Sequence, residues 1–512
     1  MAKYPKHRTL ASIMSAMALA ACSLAPHYQA PDVPVAAQYQ SQPQPQPQPQ
    51  PQSQSQSQSQ SQSQPQGPWT EASPADQLDR AGWWKLYDEP ELDDLEQRLI
   101  KNNPDLRASY FHYVQAEAYI KEVSSQLYPQ VGAAGNIQRD RESDTKPLRS
   151  ATGPSDYTSA TLGVQVDYEV DLWGRVRDSV AASKDEGQAS KADLASTQLS
   201  LEIELARSYI DLRGLDQQIQ LIEGTDQAYQ KALDLTRNRH DAGIVSDLDV
   251  TRASSQLSSA QSELTQVRAK RALLEHAIAV LVGASPSDFR IEPSTRAIQL
   301  PVIPVGVPSA LLQRRPDVAA AERRIAAANS QIGVARSAYF PSLTLSAQGG
   351  AQSSVLSDLL SAPSSYWAVG PSLAVYLLDG GKRRAQLNSA KAATSEAGER
   401  YRSVVLASFR QVEDDLSLLD DLGTATGQEQ DAASAADKSV DLSLARYRRG
   451  AVSYLDVVEA QSAALESQRS VIALRTQQLD ANVDLIRALG GGWTSDDLAA
   501  APVQLNLKRG NS

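Results

Sequence analysis

The chain has 512 residues, with 49 Lys plus Arg against 60 Asp plus Glu, a formal charge of −11 and a mean hydropathy of −0.39. That acidity excludes a general nucleic-acid binder, which needs a basic footprint. No run of about 18 apolar residues occurs, so no helix of this sequence crosses a bilayer.

The N-terminus reads as a targeting segment. Lys3, Lys6 and Arg8 precede an apolar stretch, Leu10 to Ala21, which ends in Leu19-Ala20-Ala21-Cys22. Cys22 is the one cysteine of the chain, so an internal disulfide is excluded. The four residues resemble the bacterial lipobox. That likeness makes 1–21 a lipoprotein signal peptide and Cys22 an acylated mature N-terminus, with Ser23, in place of Asp, directing the product to the outer membrane. Several acyl chains at about 0.8 kcal/mol per buried CH₂ anchor a chain firmly. Residues 22–68 are expected to be the lipid anchor and a tether. From 38 to 66, Gln alternates with Pro and then Ser, and such a tract buries too little apolar surface to offset ordering. The folded part is expected to begin near Trp69 or Trp83.

The rest divides into two similar halves, 69–285 and 286–495, with a short tail at 496–512. Arg239-His240-Asp241-Ala242-Gly243-Ile244-Val245-Ser246-Asp247-Leu248-Asp249-Val250 matches Arg446-Tyr447-Arg448-Arg449-Gly450-Ala451-Val452-Ser453-Tyr454-Leu455-Asp456-Val457 at an offset of 207 residues (243 and 450). Gly174 and Gly381 keep the same offset. In each half the period then switches. Leu162, Val164, Val166, Tyr168 and Val170 alternate with polar or small residues, as do Trp367, Val369, Leu373, Val375 and Leu377. Val131 to Ile137 and Leu343 to Ala347 alternate likewise after Pro129 and Pro341. These four strands per chain have a length suited to crossing a membrane.

Helical pattern follows, from about Gly174 to His240 and from about Gly381 to Arg449. Each run is roughly 100 Å at 1.5 Å per residue. Leu205, Leu212 and Ile219, then Val405, Val412 and Leu419, keep coiled-coil spacing. Each helix ends at a glycine, Gly243 or Gly450, and a returning helix starts at Ser246 or Ser453 with Asp249 or Asp456 three residues on. These are helical hairpins.

Four strands cannot close a barrel, and open edges cannot sit in lipid. Three chains give twelve strands, and two give eight. Eight would leave an interior filled with side chains, whereas Gly163, Gln165, Ser346, Gln348, Gly370 and Ser372 suit a wider, wet lumen. The predicted fold is therefore a homotrimeric twelve-stranded transmembrane β-barrel continued by a long α-helical coiled-coil barrel, built from two internal repeats.

Several ordered motifs carry a family likeness. They are Trp83-Trp84-Lys85-Leu86-Tyr87-Asp88-Glu89-Pro90-Glu91-Leu92, Leu274 to Gly283, Gln313-Arg314-Arg315-Pro316-Asp317-Val318, Ile332-Gly333-Val334-Ala335-Arg336-Ser337-Ala338-Tyr339-Phe340-Pro341, and Ala488-Leu489-Gly490-Gly491-Gly492-Trp493. Together they resemble the TolC-like outer-membrane factors of the NodT-type efflux lipoprotein branch. The resemblance implies a trimeric outer-membrane channel, with a large periplasmic portion, that docks a periplasmic adaptor and a proton-driven inner-membrane pump and exports small molecules. The Gln/Pro/Ser tract is foreign to the family pattern. A type I protein-secretion outlet and a non-conducting envelope scaffold are the alternatives; ion conduction in bilayers separates the last from the others.

No enzyme site is visible, and no cofactor or metal is called for. The 5 His are scattered without ligand spacing, and His276 reads as a packing residue. Arg314-Arg315-Pro316-Asp317 reads as a helix cap. The hairpin tips are the candidate site. In a trimer Asp249 and Asp456 make a ring of six carboxylates that attracts cations, or else they only cap helices. Arg252 and Glu459, equivalent positions of opposite charge, are expected to latch neighbouring hairpins. The family likeness puts Asp249, Asp456, Glu459 and Tyr447 on pore-lining or gating positions, but Val452 stands where some relatives carry a basic gating residue. Gly243, Ser246, Gly450 and Ser453 are expected to face the adaptor.

Overall fold

The structure, a computed structural model, describes residues 23–29, 69–71, 82–145, 155–305, 314–493 and 495–498. Cys22, the leader before it, residues 30–68 and the tail from 499 lie outside the described residues. In chain order the elements are β1 (Trp69–Glu71), α1 (Pro90–Asn102), α2 (Pro104–Ser124), β2 (Gln130–Arg141), β3 (Asp156–Val170), α3 (Arg175–Asp241), α4 (Asp247–Leu281), β4 (Ile303–Val305), α5 (Pro316–Ser337), β5 (Ser342–Ser353), β6 (Ser365–Ala374), α6 (Lys382–Arg448) and α7 (Tyr454–Ala488). The long helices repeat with no slippage. α3 and α6 have 67 residues each, α4 and α7 have 35 each, and both pairs start 207 residues apart (175 and 382; 247 and 454).

The chain divides into two compact units. The first holds residues 23–29, His112–Ser190 and Ala320–Arg402, and contains the antiparallel sheet β2-β3-β5-β6. Its register explains the alternation read in the sequence. Val131, Val166, Ala347 and Val369 stand in one row across the four strands, and Ala133, Val164, Gly349 and Trp367 in another. Side chains in register share a face, so these rows make an apolar face. The opposite face carries the rows Gly132, Gln165, Gln348, Ala368 and Gln130, Asp167, Ser346, Gly370, with Ser346 Oγ donating to Asp167 at 2.7 Å. The apolar face is open to the surroundings: Val131 is 70% exposed, Val369 70% and Trp367 79%. The outer edges of β2 and β6 have no strand partner among the described residues.

β6 stops at Ala374, short of the alternation that runs to Leu377. Its partner β5 begins at Ser342, opposite Ala374, directly after Pro341. Proline has no N–H to donate, so the ladder ends there. After β3 the chain turns into α3 through Asp171, whose carboxylate accepts the Arg177 backbone N–H at 2.9 Å and its Nε at 3.1 Å. Trp173 stacks on Phe340 at 4.7 Å and donates to the Pro341 carbonyl. Residues 23–29, expected to begin the tether, lie instead against α5. Arg336 and Asn329 donate to their carbonyls at 2.9 and 2.7 Å.

The second unit takes in Lys191–Ala319, the chain from Ser403 onward, and the described part of Val33–Phe111. Its core gathers Trp83, Tyr87, Leu92, Leu95 and Leu99 onto Leu205, Tyr209 and Leu212 of α3, Ile278 of α4, Val412 and Leu416 of α6, and Val483 and Leu485 of α7. Polar groups inside it are mostly paired: Tyr87 Oη donates to Asn482 at 2.7 Å, and Asn482 to the Pro301 carbonyl at 3.1 Å. Glu96, 0% exposed, has no hydrogen-bond partner for either oxygen among the described residues, and burial pushes its carboxyl well above the usual range.

Two sequence readings change here. His276 is exposed rather than packed, because the buried stripe of α4 passes through Glu275, Ile278 and Ala279. Leu273, His276 and Val280 share the outward face. Arg315 does more than flank a cap. It is buried, pairs with Asp317 at 2.6 Å and donates to Gln411 at 2.9 Å and to the Ala488 carbonyl at 3.0 Å, tying the start of α5 to the end of α7.

Candidate functional site at the hairpin tips

Both tips are built by the same local rules. At the end of α3, Gly243 takes φ +72, and Ile244 N–H bonds back to Arg239 O at 2.8 Å. At the end of α6, Gly450 takes φ +75, and Ala451 N–H bonds to Arg446 O at 3.0 Å. A bond spanning five residues across a left-handed glycine is the Schellman closure, which satisfies the last helical carbonyls. Ser246 and Ser453 then take extended backbone as N-caps of α4 and α7.

The acids differ. Asp456 accepts the Ser453 N–H at 3.0 Å and the Ser453 hydroxyl at 2.6 Å, and these bonds hold its carboxyl below the ordinary range. Asp249 receives the Ser246 hydroxyl only at 3.5 Å, and its carboxylate lies 3.9 Å from Arg252. Arg252 therefore finds its ion partner within its own helix, one turn back, and Glu459 is exposed. The chain alone does not bring Arg252 and Glu459 together.

What joins the two hairpins was missed in the sequence. Arg239 lies over the Tyr447 ring, 4.7 Å from its centroid, and donates to the Tyr447 carbonyl at 2.8 Å. Tyr447 in turn packs on Tyr454 at 5.4 Å. Both rings are buried with Tyr229, Leu233, Leu257 and Val457. Burial lifts the Tyr454 hydroxyl to about 12, so it stays neutral. Gln256 bridges Tyr229 Oη at 3.1 Å and Ser462 Oγ at 2.9 Å, and farther up Arg469 meets Glu263 at 2.7 Å. The Tyr447 hydroxyl is buried without a hydrogen-bond partner among the described residues. The one signal available in the sequence was position: Arg239 sits one turn before Gly243, where a cation suits the helix C-terminus. Only the fold shows the ring beneath it.

The arrangement offers carboxylates, a cation–aromatic clasp and exposed apolar groups, Ile244, Leu248 and Leu455. Among the described residues no group of His, Cys, Asp and Glu could hold a metal ion, and no helix is long and apolar enough to cross a membrane.

The family model described as outer membrane efflux protein matches residues 95–284 and 307–491. The chain is 31% identical to the antibiotic efflux pump outer membrane protein ArpC of Pseudomonas putida, over 94% of this chain and 95% of that one. It is 30% identical to the outer membrane protein OprJ of Pseudomonas aeruginosa, over 94% and 96%. Among solved structures, a membrane protein from Pseudomonas aeruginosa superposes with a TM-score of 0.82 at 27% identity, covering 95% of this chain and all of that one. The outer-membrane channel OprN gives 0.79 at 28% identity, covering 92% and 100%. The Campylobacter jejuni CmeC channel, 22% identical, shares the fold with a TM-score of 0.82, covering 93% and 96%. The chain belongs to the outer membrane efflux protein family: it has the TolC-like fold of an outer-membrane export channel and is not an enzyme.

Proposed function

We propose that three copies of this chain form the outer-membrane exit duct of a tripartite efflux pump, exporting small toxic molecules handed over by a periplasmic adaptor and a proton-driven inner-membrane transporter. The observation that carries the reading is the sheet. It has an apolar face, a polar face and two edges unpaired among the described residues, an arrangement that lipid tolerates only in a closed barrel. Three copies supply twelve strands with the polar rows turned to a lumen. Relatives whose names specify antibiotic and toluene efflux supply the cargo class.

In this reading 1–21 is removed, Cys22 carries acyl chains in the outer membrane, 69–285 and 286–495 are the two repeats, and 496–512 is a tail. The tips close the periplasmic end. Asp249, Asp456 and Glu459 set its charge, Arg252 steadies Asp249, and Tyr447 with Arg239 holds the second hairpin to the first. Gly243, Ser246, Gly450 and Ser453 shape the turns that meet the adaptor.

The test is the mass of the detergent-solubilised protein, expected at about three chains, together with ion conduction in planar bilayers. A membrane-inserted monomer would remove the architecture, and a trimer that never conducts would point to a scaffold. Cys22→Ser should abolish labelling by a radioactive fatty acid, and unchanged labelling would sink the lipoprotein reading.

A further inference from the structure

The turn that leaves the sheet and opens a long helix occurs once in each half, and the two copies differ in charge. The first, Glu169-Val170-Asp171-Leu172-Trp173-Gly174-Arg175-Val176-Arg177, neutralises itself. Glu169 accepts Arg175 Nε at 2.8 Å and Nη2 at 2.7 Å, and Asp171 accepts Arg177 Nε at 3.1 Å. Shifted by 207 residues (169 and 376), the second reads Tyr376-Leu377-Leu378-Asp379-Gly380-Gly381-Lys382-Arg383-Arg384. Both cations are kept, as Lys382 and Arg384, but Tyr376 and Leu378 stand in place of the acids. Asp379, the acid that remains, is already taken. It accepts the N–H groups of Gly381 at 3.0 Å and Arg383 at 3.2 Å, and Arg383 Nε at 2.5 Å. Lys382 and Arg384 have no ion partner among the described residues.

A cavity of 590 Å³ lies between the two turns, within the first unit. Lys382 lines it together with Trp173, Phe340, Tyr376 and Leu378. Trp173 and Phe340 stack at 4.7 Å, so part of the wall is a double ring. Tyr376 is 77% exposed and Leu378 95%, apolar groups that the chain itself leaves uncovered. The acids in the wall, Glu169, Asp171 and Asp379, are each held by an arginine, so Lys382 is the unbalanced charge among the described residues. Ser342 and Ala374 also line the cavity and stand opposite one another in the ladder. They share the parity of Ser346 and Gly370, which places the cavity on the polar face of the sheet.

We propose that this cavity binds a small aromatic molecule carrying one negative charge, such as a carboxylate, and is a subsite on the export path. The ligand supplies the acid that the second turn has lost. Its anion meets the Lys382 ammonium in a charge-assisted bond, and its ring lies against Trp173, Phe340 and Tyr376. Cavities of about 300–1,000 Å³, lined by rings with a few polar groups, suit drug-sized ligands. Solvation explains an exposed lysine, but not the loss of both acids together with the gain of two uncovered apolar groups beside it. Lipid fits less well, because acyl chains meet the apolar face and the cavity lies on the other. Calling the ligand cargo rests on the exit-duct reading, which turns the polar face to the lumen.

The experiment irradiates the full-length protein, in phosphatidylcholine nanodiscs, with para-benzoylbenzoate, a photo-reactive aromatic carboxylate. Mass spectrometry then maps the labelled residues. Labels should fall on Trp173, Phe340, Tyr376 and Leu378 and saturate with concentration. Lys382→Gln should raise the half-saturating concentration about fivefold, and Lys382→Arg should leave it unchanged. Tyr376→Glu should match Lys382→Gln, because the new acid takes Lys382 as Glu169 takes Arg175. Arg384 lies outside the cavity wall, so Arg384→Gln should change labelling less than twofold. Equal labelling by the acid and by its uncharged amide, or labelling indifferent to Lys382→Gln, would overturn the proposal. Labelling abolished by phosphatidylglycerol in the disc would assign Lys382 to a lipid phosphate and overturn it too. So would labelling confined to monomers, since a second copy would then fill the cavity.

Conductance of the same preparation separates the two readings. A conducting trimer that fails the labelling tests keeps the duct and loses the site. A labelled site in a chain that never conducts keeps the site, and the ligand is then not cargo.

Discussion

At the α6–α7 tip, Asp456 is committed to its own helix, taking both the N–H and the hydroxyl of Ser453. At the α3–α4 tip, the equivalent Asp249 holds Ser246 only at 3.5 Å and shares its charge with Arg252 at 3.9 Å. The turns themselves are alike to within a few degrees of φ at the two glycines. A duplicated sequence has thus kept what the backbone needs, a left-handed glycine and a serine N-cap, and let the chemistry on top diverge. The same split recurs higher in the hairpins. The first half neutralises a buried acid fully: Asp216 lies 2.8 Å from Arg213 and 2.6 Å from Arg271. The second half leaves Asp415 and Asp480 largely buried, and burial raises both carboxyls to about 7.

The clasp is the sharpest asymmetry. Arg239 stacks on Tyr447, whereas Arg446, its repeat equivalent, has His240 at the place matching Tyr447. A cation–aromatic contact contributes about 0.5 to 2 kcal/mol, more when desolvated. Counted three times in a trimer, it biases a two-state opening by about a decade or more. Arg239→Ala should therefore raise single-channel conductance about tenfold, and Arg446→Ala should change it less than twofold. Equal effects would erase the asymmetry.

The buried acids give a pH dependence. An acid raised in the folded state keeps protons that the unfolded chain has released, so stability falls as pH rises from about 4 and levels off above about 7. The melting temperature should be higher at pH 5 than at pH 8, and Asp480→Asn should flatten the slope. A melting temperature that rises across this window would contradict the assignment. Capping provides a smaller test: Ser453→Ala should cost about 1 kcal/mol of unfolding free energy and Ser246→Ala only a few tenths, read by denaturant titration. Smallest of all should be Glu459→Arg. Glu459 is exposed and Arg252 already has Asp249, and exposed pairs contribute about 0 to 1 kcal/mol. A large rise in conductance from this variant would show that Glu459 and Arg252 meet between chains.

The backbone of the molecule was legible wherever a local rule sets it. Period-two alternation marked all four long strands, because both faces of the sheet are exposed in the chain and each must suit a different solvent. Gly243, Gly450 and the two serines marked the tips, since few residues fit those conformations. Long-range partners were not legible. Nothing in the order of residues says that Arg239 lies on Tyr447, 208 positions away, or that Arg315 reaches the end of α7. The same holds for β1 and β4, three residues each, which pair in parallel at a separation of 234 residues (69 and 303) with too little length to show a period. Leu24 and Pro26 escaped for a related reason: α5 holds them by their carbonyls, which every sequence has.

The most direct test of the closed tip is single-channel recording of wild type beside Tyr447→Leu and Tyr447→Phe in planar bilayers. The Tyr447 hydroxyl has no hydrogen-bond partner among the described residues, and its ring carries the contact with Arg239. The account predicts a poorly conducting, cation-preferring wild type, a Tyr447→Phe channel indistinguishable from it, and a Tyr447→Leu channel with conductance raised about tenfold. A Tyr447→Leu channel no more open than wild type would contradict it, and so would a Tyr447→Phe channel as open as Tyr447→Leu.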